Sequence, residues 1–222
     1  MSKIKIQVSS EHRPLREAII GYYQNYYRQD LIKVLQYEIE NLKSVLIENG
    51  VRVYEPDPVS GLKDQVTPRD IGFVIGNTFI LSSMVEKRRR NEWKGLKKVL
   101  EMIDGRIIRA PKSAFIEGGD ILINGTEIFV GIGERTNFDG LHFLKGIFEN
   151  EYDIFPIKIN ALHLDVVFNI ISDDVAIYYP SLIEQLPDII KNKFLLIKTN
   201  SLEYQAMCVN SLSIGNGKIL VR

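Results

Sequence analysis

The chain repeats itself, and the repeat limits what it can fold into. Pro68-Arg69-Asp70, Glu117-Gly118-Gly119-Asp120, His163-Leu164-Asp165 and the lone Cys208 each precede an apolar run, a turn and a second apolar run. The runs are IGFVIGNTFIL after Asp70, ILINGTEIFV after Asp120, VVFNIISDDVAIY after Asp165 and VNSLSIGNGKILV after Cys208. Asp70 and Asp120 lie 50 residues apart, Asp120 and Asp165 45, and Asp165 and Cys208 43. A drifting period of that length, with a hairpin in each copy, marks radially repeated architectures. Equivalent positions of such units gather at one end of the ring, so groups distant in sequence meet around one axis.

The hairpins alternate with helical patterns. Residues 4–8 (IKIQV) and 16–21 (REAIIG) read as strands joined by a turn-rich SSEHRP. Leu31, Val34, Leu35, Ile39, Leu42, Val45 and Leu46 give a helical face over 30–49, stopped by Asn49-Gly50 before the strand at 51–54. The second unit has a helix near 86–103 and a strand at 106–109. The third has the hairpin signal Asn124-Gly125, a helix near 139–149 and a strand near 153–158. The fourth turns at Ser172-Asp173-Asp174, carries a short helix near 181–191 and ends at 194–198. The fifth turns at Gly215-Asn216-Gly217 and is cut short by the C-terminus. Five ββα(β) units predict an α/β ring with five-fold pseudo-symmetry, with residues 1–222 as a single catalytic domain. The Pro- and Gly-containing loop 55–69 reads as an active-site loop, because the repeat continues across it.

Bulk properties exclude several classes. Lys+Arg and Asp+Glu both number 28, which argues against an electrostatic nucleic-acid binder despite the run Lys87-Arg88-Arg89-Arg90. The N-terminal residues show no apolar signal segment, and no stretch approaches the ~18–20 apolar residues of a membrane span. One cysteine offers neither an internal disulfide nor a zinc cluster, so a reducing cytoplasm is expected.

The reactive residues suggest one chemistry. A cysteine attacks as the thiolate and needs a cation or base nearby. His163 suits proton shuttling near neutral pH. Asp70, Glu117, Asp120 and Asp165 are too many carboxylates for a simple Cys/His hydrolase, since buried carboxylates repel one another unless a cation lies between them. A planar guanidinium, with five N–H donors and a fixed charge, fills that role. Each residue taken singly has a plainer reading. Cys208 fits an inert buried thiol, the aspartates fit strand-end hydrogen bonding, Gly118-Gly119 fits a tight turn, and the arginine run fits a solvated helix start. Equivalent placement in successive units favours chemistry, since turn formation has no need of a Cys and a His there.

FIEGGDILINGTEIFVGIGERTN, HLDVVF and TPRDIGFVIGNTFILSSM…RRRNE resemble motifs of the guanidino-group-modifying enzymes. These comprise arginine deiminases, dimethylarginine dimethylaminohydrolases and amidinotransferases, and the likeness runs along nearly the whole chain in order. It implies the five-bladed α/β-propeller of the pentein fold. It also implies Cys208 as nucleophile, His163 as general acid/base, Asp70 and Asp165 as clamps on the guanidinium, and Glu117 as a further acid. Asp120 would support the turn. Arg135 would bind a substrate carboxylate, joined by one of Arg88, Arg89 or Arg90, with Arg89 favoured. Arg69 is read as structural, and His12 and His142 as surface residues. The chain has no room for the helical insertion of arginine deiminases. SLEYQAMC lacks the glycines common before the nucleophile in deiminases and amidinotransferases.

The resemblance implies a cytoplasmic hydrolase of the guanidino group of arginine or a small derivative. It would work through a covalent thiouronium intermediate to a ureido product such as citrulline, without metal or organic cofactor. The partner is a small guanidino molecule, with no nucleic acid or membrane; a homodimer is compatible with it. The alternatives are an amidinotransferase and a non-catalytic binding protein on the same fold.

Overall fold

A computed structural model describes residues 3–221. It begins with β1 (Ile4–Lys5), β2 (Glu17–Ile19), α1 (Ile32–Glu48) and β3 (Arg52–Tyr54). Then follow α2 (Pro68–Ile71), β4 (Gly72–Ile75), β5 (Thr78–Leu81), α3 (Lys97–Met102), β6 (Ile103–Asp104) and β7 (Arg106–Arg109). The third stretch is β8 (Ile121–Asn124), β9 (Glu127–Ile132), α4 (Phe138–Phe148) and β10 (Asp153–Lys158). The last holds β11 (Phe168–Ile170), β12 (Val175–Tyr178), α5 (Asp188–Lys193), β13 (Leu195–Lys198), α6 (Ser201–Gln205), β14 (Leu212–Gly215) and β15 (Lys218–Leu220).

Three sheets share one plan: β4-β5-β7, β8-β9-β10 and β11-β12-β13. In each, an antiparallel hairpin leads into a helical crossover, and the third strand returns parallel to the second. These are the predicted ββαβ units. The hairpin turn at Asn216-Gly217 holds φ 54° and 73°, the left-handed pair that a two-residue turn matching strand twist demands. Between 86 and 103 the expected helix is shorter: two 3-10 turns precede α3.

The chain ends depart from the expected pattern. IKIQV does not pair with β2 as a hairpin; β1 runs parallel to β6, with Ile4 opposite Ile103. β2 instead pairs with β3 across α1. Ile20, Leu46 and Val51 then share a core with Ile214 and Leu220 of the C-terminal hairpin, so the two chain ends build one cluster. Leu15 N–H donates to Ile214 O at 3.2 Å within it. Residues 8–13 run along the turns of successive units. Val8 bridges Gly76, Gly125 N–H donates to Ser9 O, and His12 approaches Asp173 at 3.5 Å. The His12 side chain is only 7% exposed, so it is not a surface residue as expected, whereas His142 is exposed.

The core runs between neighbouring units rather than inside one. Leu122 and Phe129 of β8 and β9 pack with Phe168 and Ile170 of β11, all effectively shut off from water. Loop 55–67 is pinned by buried Gln65, whose amide accepts from Val59 N–H and Asn25 and donates to Asp57 O. Its last residue, Thr67, touches the candidate site.

Candidate active site

Three short turns carry the acidic motifs, each immediately before the first strand of a unit. Asp70 lies in α2, Asp120 ends a 3-10 turn at Gly118–Asp120, and Asp165 lies in a 3-10 turn at Leu164–Val166 that His163 precedes. Two glycines let these turns meet. A Cβ on Gly118 would stand 2.1 Å from Arg69 O, and one on Gly119 would stand 2.7 Å from His163 Cγ. The Gly-Gly pair is therefore a close-approach device, which the tight-turn reading had missed.

His163 occupies the centre. Its Nε2 is 3.0 Å from Glu117 Oε2, and its Nδ1 is 3.7 Å from Asp70 Oδ1. Glu117 is fully buried, and its other oxygen accepts from Val85 N–H at 3.2 Å, with Arg135 Nη1 at 3.9 Å. Burial pulls the His163 pKa down. The Glu117 hydrogen bond and the carboxylates of Asp70, Asp120 and Asp165 outweigh it, so the imidazole is raised above its ordinary value. With an acid facing each ring nitrogen, the site favours the imidazolium form.

The remaining acids are held differently. Asp120 accepts from Thr136 Oγ1 at 2.6 Å and from Leu164 N–H at 2.9 Å, tying its turn to the one that follows His163. Burial drives Asp120 up to about 7, although His163, Thr136 and the Leu164 N–H pull the other way. Asp165 faces Arg69 Nε at 3.0 Å; burial raises it to about 6 against the pull of Arg69 and His163. Arg69 also donates to Ile121 O and to Glu11 of the N-terminal segment.

Asp70, Glu117 and His163 each offer one ligand atom, and these lie within 4.8 Å of one another. Their hydrogen bonds and ion pairs already join them as an acid–imidazole cluster, and no side chain is assigned to a metal.

Arg89 presents all three guanidinium nitrogens to protein groups: Nη1 to Asp70 Oδ2, Nε and Nη2 to Glu92, and Nη2 to Thr67. The residue favoured for a substrate carboxylate is thus committed inside the protein. Arg90 caps Met84 O and Val85 O, while Arg88 remains 58% exposed. Among the described residues, Arg135 keeps only long ion pairs, to Glu117 at 3.9 Å and to Glu86 at 3.7 Å.

Cys208 stands on the exit of α6. Met207 N–H donates to Tyr204 O, and Cys208 N–H to Glu203 O at 3.1 Å, the paired bonds of a Schellman helix end. That motif wants a left-handed residue, and Met207 takes it at φ 62°. Asn169, buried on β11, donates to Val209 O and Ser211 O and so ties this segment to the unit that carries Asp165. Among the described residues, neither His163 nor the central carboxylates hydrogen-bond to Cys208. Burial and the nearby Glu203 raise its thiol pKa, with a backbone hydrogen bond acting in the opposite sense.

The structure thus brings together Asp70, Glu117 and His163, sets Asp120 and Asp165 on the flanking turns, and keeps Cys208 on an adjoining segment. Glu92, Thr136 and Asn169 escaped the sequence reading. Thr136 stands inside the quoted GERTN motif, and Glu92 follows Arg89 at the i+3 spacing of helical ion pairs.

The eukaryotic N,N dimethylarginine dimethylhydrolase model matches residues 23–221. The chain belongs to this family. It is 34% identical over 215 residues to the uncharacterized protein YkgA of Bacillus subtilis (strain 168), across 95% of this chain and 74% of that protein. With mitochondrial glycine amidinotransferase of Gallus gallus it shares 22% identity over 216 residues, 72% of this chain and 51% of that relative, so it spans about half that relative's length. SxtG, an amidinotransferase from Microseira wollei in the saxitoxin biosynthetic pathway, superposes with a TM-score of 0.86 at 20% identity. That superposition covers 98% of this chain and 85% of SxtG, and shows a shared α/β fold. The expected guanidino-group-modifying superfamily is the right one. Among the described residues, no helix is long and apolar enough to cross a membrane.

Proposed function

We propose that the chain is a cysteine-dependent hydrolase of the guanidino group of arginine or a small arginine derivative, releasing a ureido product such as citrulline. One observation carries the reading: the His163 ring lies between Glu117 and Asp70 in a buried site rich in carboxylates. Such a site favours a planar cation that offers N–H donors on every edge. The family match supports hydrolysis. In this reading residues 1–222 form one domain, a five-bladed ring working in the cytoplasm.

Burial and Glu203 raise the Cys208 thiol pKa, which disfavours the thiolate before substrate binds. A bound guanidinium would lower that pKa by its own charge, and the thiol proton would leave to solvent. The Cys208 sulfur forms a bond to the guanidinium carbon, giving a tetrahedral adduct. The imidazolium of His163 gives its proton to the departing nitrogen, the C–N bond breaks, and a thiouronium remains on sulfur. Neutral His163 then takes a proton from water as the water oxygen attacks the same carbon. The C–S bond breaks with its electron pair going to sulfur, the hydroxyl proton of the adduct passes to that sulfur, and the neutral ureido product leaves with the thiol and the His163 imidazolium regenerated. Glu117 and Asp70 stabilise the imidazolium whenever it forms. Arg135 borders the cluster through Glu117 with only long ion pairs among the described residues, and we assign it the substrate carboxylate, with the exposed Arg88 as the second candidate cation.

The likeness to amidinotransferases favours a second reading, in which an amine takes the place of water. Incubation with arginine, methylated arginines and agmatine, with ureido product measured, tests the first reading. The expected result is product from the intact protein and none from Cys208→Ser or His163→Ala. A new guanidino compound on adding amines, without ureido product, supports transfer instead.

A further inference from the structure

Asp70 divides its two oxygens between different tasks. Oδ1 faces His163 at 3.7 Å, while Oδ2 accepts from Arg89 Nη1 at 2.8 Å. Arg89 alone would cancel the Asp70 charge and blunt its pull on a cationic ligand. Glu92 lessens this. It accepts from Arg89 Nε at 2.9 Å and Nη2 at 3.0 Å, a two-point fork from a side chain with no exposure to water. Thr67 takes Nη2 from the other side, with Oγ1 at 2.7 Å. Two carboxyl groups therefore share one guanidinium, and Glu92 competes with Asp70 for its charge, although burial raises Glu92 to about 7 against the pull of Arg89. An isolated structural ion pair needs only Arg89 and Glu92; it has no need to reach Asp70.

We propose that Glu92 is a positioning residue acting through Arg89. By sharing the guanidinium it fixes Asp70 and lessens the cancellation of that carboxylate's field, so that the site selects a cationic, planar guanidinium or amidinium over its neutral urea counterpart. This deepens the proposed function and relies on it only for the identity of the ligand. His163 is the reporter, since Asp70, Glu117, Asp120 and Asp165 all act on its ring.

The test uses the full chain labelled at its histidine rings, with the His163 signal assigned from a His163→Asn variant. Guanidinium chloride at low millimolar concentration is titrated against wild type, Glu92→Gln and Glu92→Asp, with urea as the neutral control. Glu92→Gln is expected to weaken guanidinium binding about five-fold or more and to move the His163 titration midpoint down, because Arg89 is then under-neutralised. Urea binding stays unchanged, and Glu92→Asp recovers most of the loss. Unaltered guanidinium affinity in Glu92→Gln, with only a lower melting temperature, overturns the proposal and leaves a plain structural ion pair. So does a wild-type protein whose His163 signal ignores guanidinium. If Glu92→Gln does not fold, Arg89→Lys keeps the charge but loses the fork; unchanged guanidinium affinity there overturns the proposal too. Guanidinium binding without ureido product from any substrate sinks the hydrolase reading alone.

Discussion

The acid–histidine cluster and the Cys208 segment are built on opposite principles. Around His163, side chains hold side chains: Glu117 on one ring nitrogen, Asp70 toward the other, and Thr136 and Arg89 bracing the acids behind. Around Cys208, backbone is held instead, by a helix end and by the amide of Asn169. The first half is a fixed electrostatic field, set before any ligand arrives. The second places a thiol whose pKa is raised, with no cation among its causes. In the proposed mechanism the missing charge comes from the substrate, which favours thiolate formation in the loaded site.

Removing the sulfur nucleophile is the harshest way to break that division. Cys208→Ser should lower turnover by about 10³-fold or more, since a hydroxyl at its ordinary pKa is a far weaker nucleophile. Thermal unfolding should stay within about a degree of wild type, because the thiol forms no bond to the cluster. A mutant that turns over guanidines normally would sink the covalent mechanism.

The cluster should show itself in the pH dependence of stability. Asp120 rises from 3.8 to about 7, Glu92 from 4.5 to about 7 and Asp165 from 3.8 to about 6, while His163 is raised from 6.5. All four bind protons more tightly folded than unfolded. Their contribution is therefore complete below about pH 4 and is lost as pH climbs through about 6 and 7. Urea denaturation should give a protein on the order of 3 kcal/mol more stable at pH 5 than at pH 8. A profile rising toward pH 8 would mean that the buried acids are better compensated than this geometry implies.

Asn169 tests the other half. Its amide serves two carbonyls of the Cys208 segment from within the core, so Asn169→Ala leaves Val209 O and Ser211 O short of a donor. A loss of about 2 kcal/mol is expected in the same titration. Activity should fall further than the change in folded fraction explains. Equal losses of both would make Asn169 a structural residue only.

The cluster was far more legible in the sequence than its supports. Asp70, Glu117, His163 and Asp165 announced themselves because equivalent points of a repeat carried residues that turns do not require. The ββαβ units were equally visible, since alternating apolar runs and Gly-containing turns are local signals. Arg89 was legible as a cation but not as a committed one. Its partners Glu92 and Asp70 lie 3 and 19 positions away, and only the folded chain shows that one guanidinium serves both. Asn169 looked like any polar strand residue, because its partners are backbone carbonyls 40 and 42 positions on. The β1–β6 pairing was hidden for a similar reason: a two-residue parallel pairing across about a hundred residues leaves no periodic trace.

The smallest effect bears most directly on how the thiol is placed. Met207 sits at φ 62°, where a side chain crowds its own backbone and glycine does not. The Schellman bonds on either side hold it there. Met207→Gly relieves the crowding but adds freedom to the unfolded chain, so the net gain should be about 0.5–1 kcal/mol, read as a higher urea midpoint. If the left-handed residue only closes the helix, turnover is unchanged by the gain. If the methionine side chain also stiffens the approach of Cys208 to the cluster, the more stable variant is the slower enzyme, with kcat falling and KM unmoved. A Met207→Gly protein that is less stable would show instead that the Met207 side-chain packing outweighs its backbone strain.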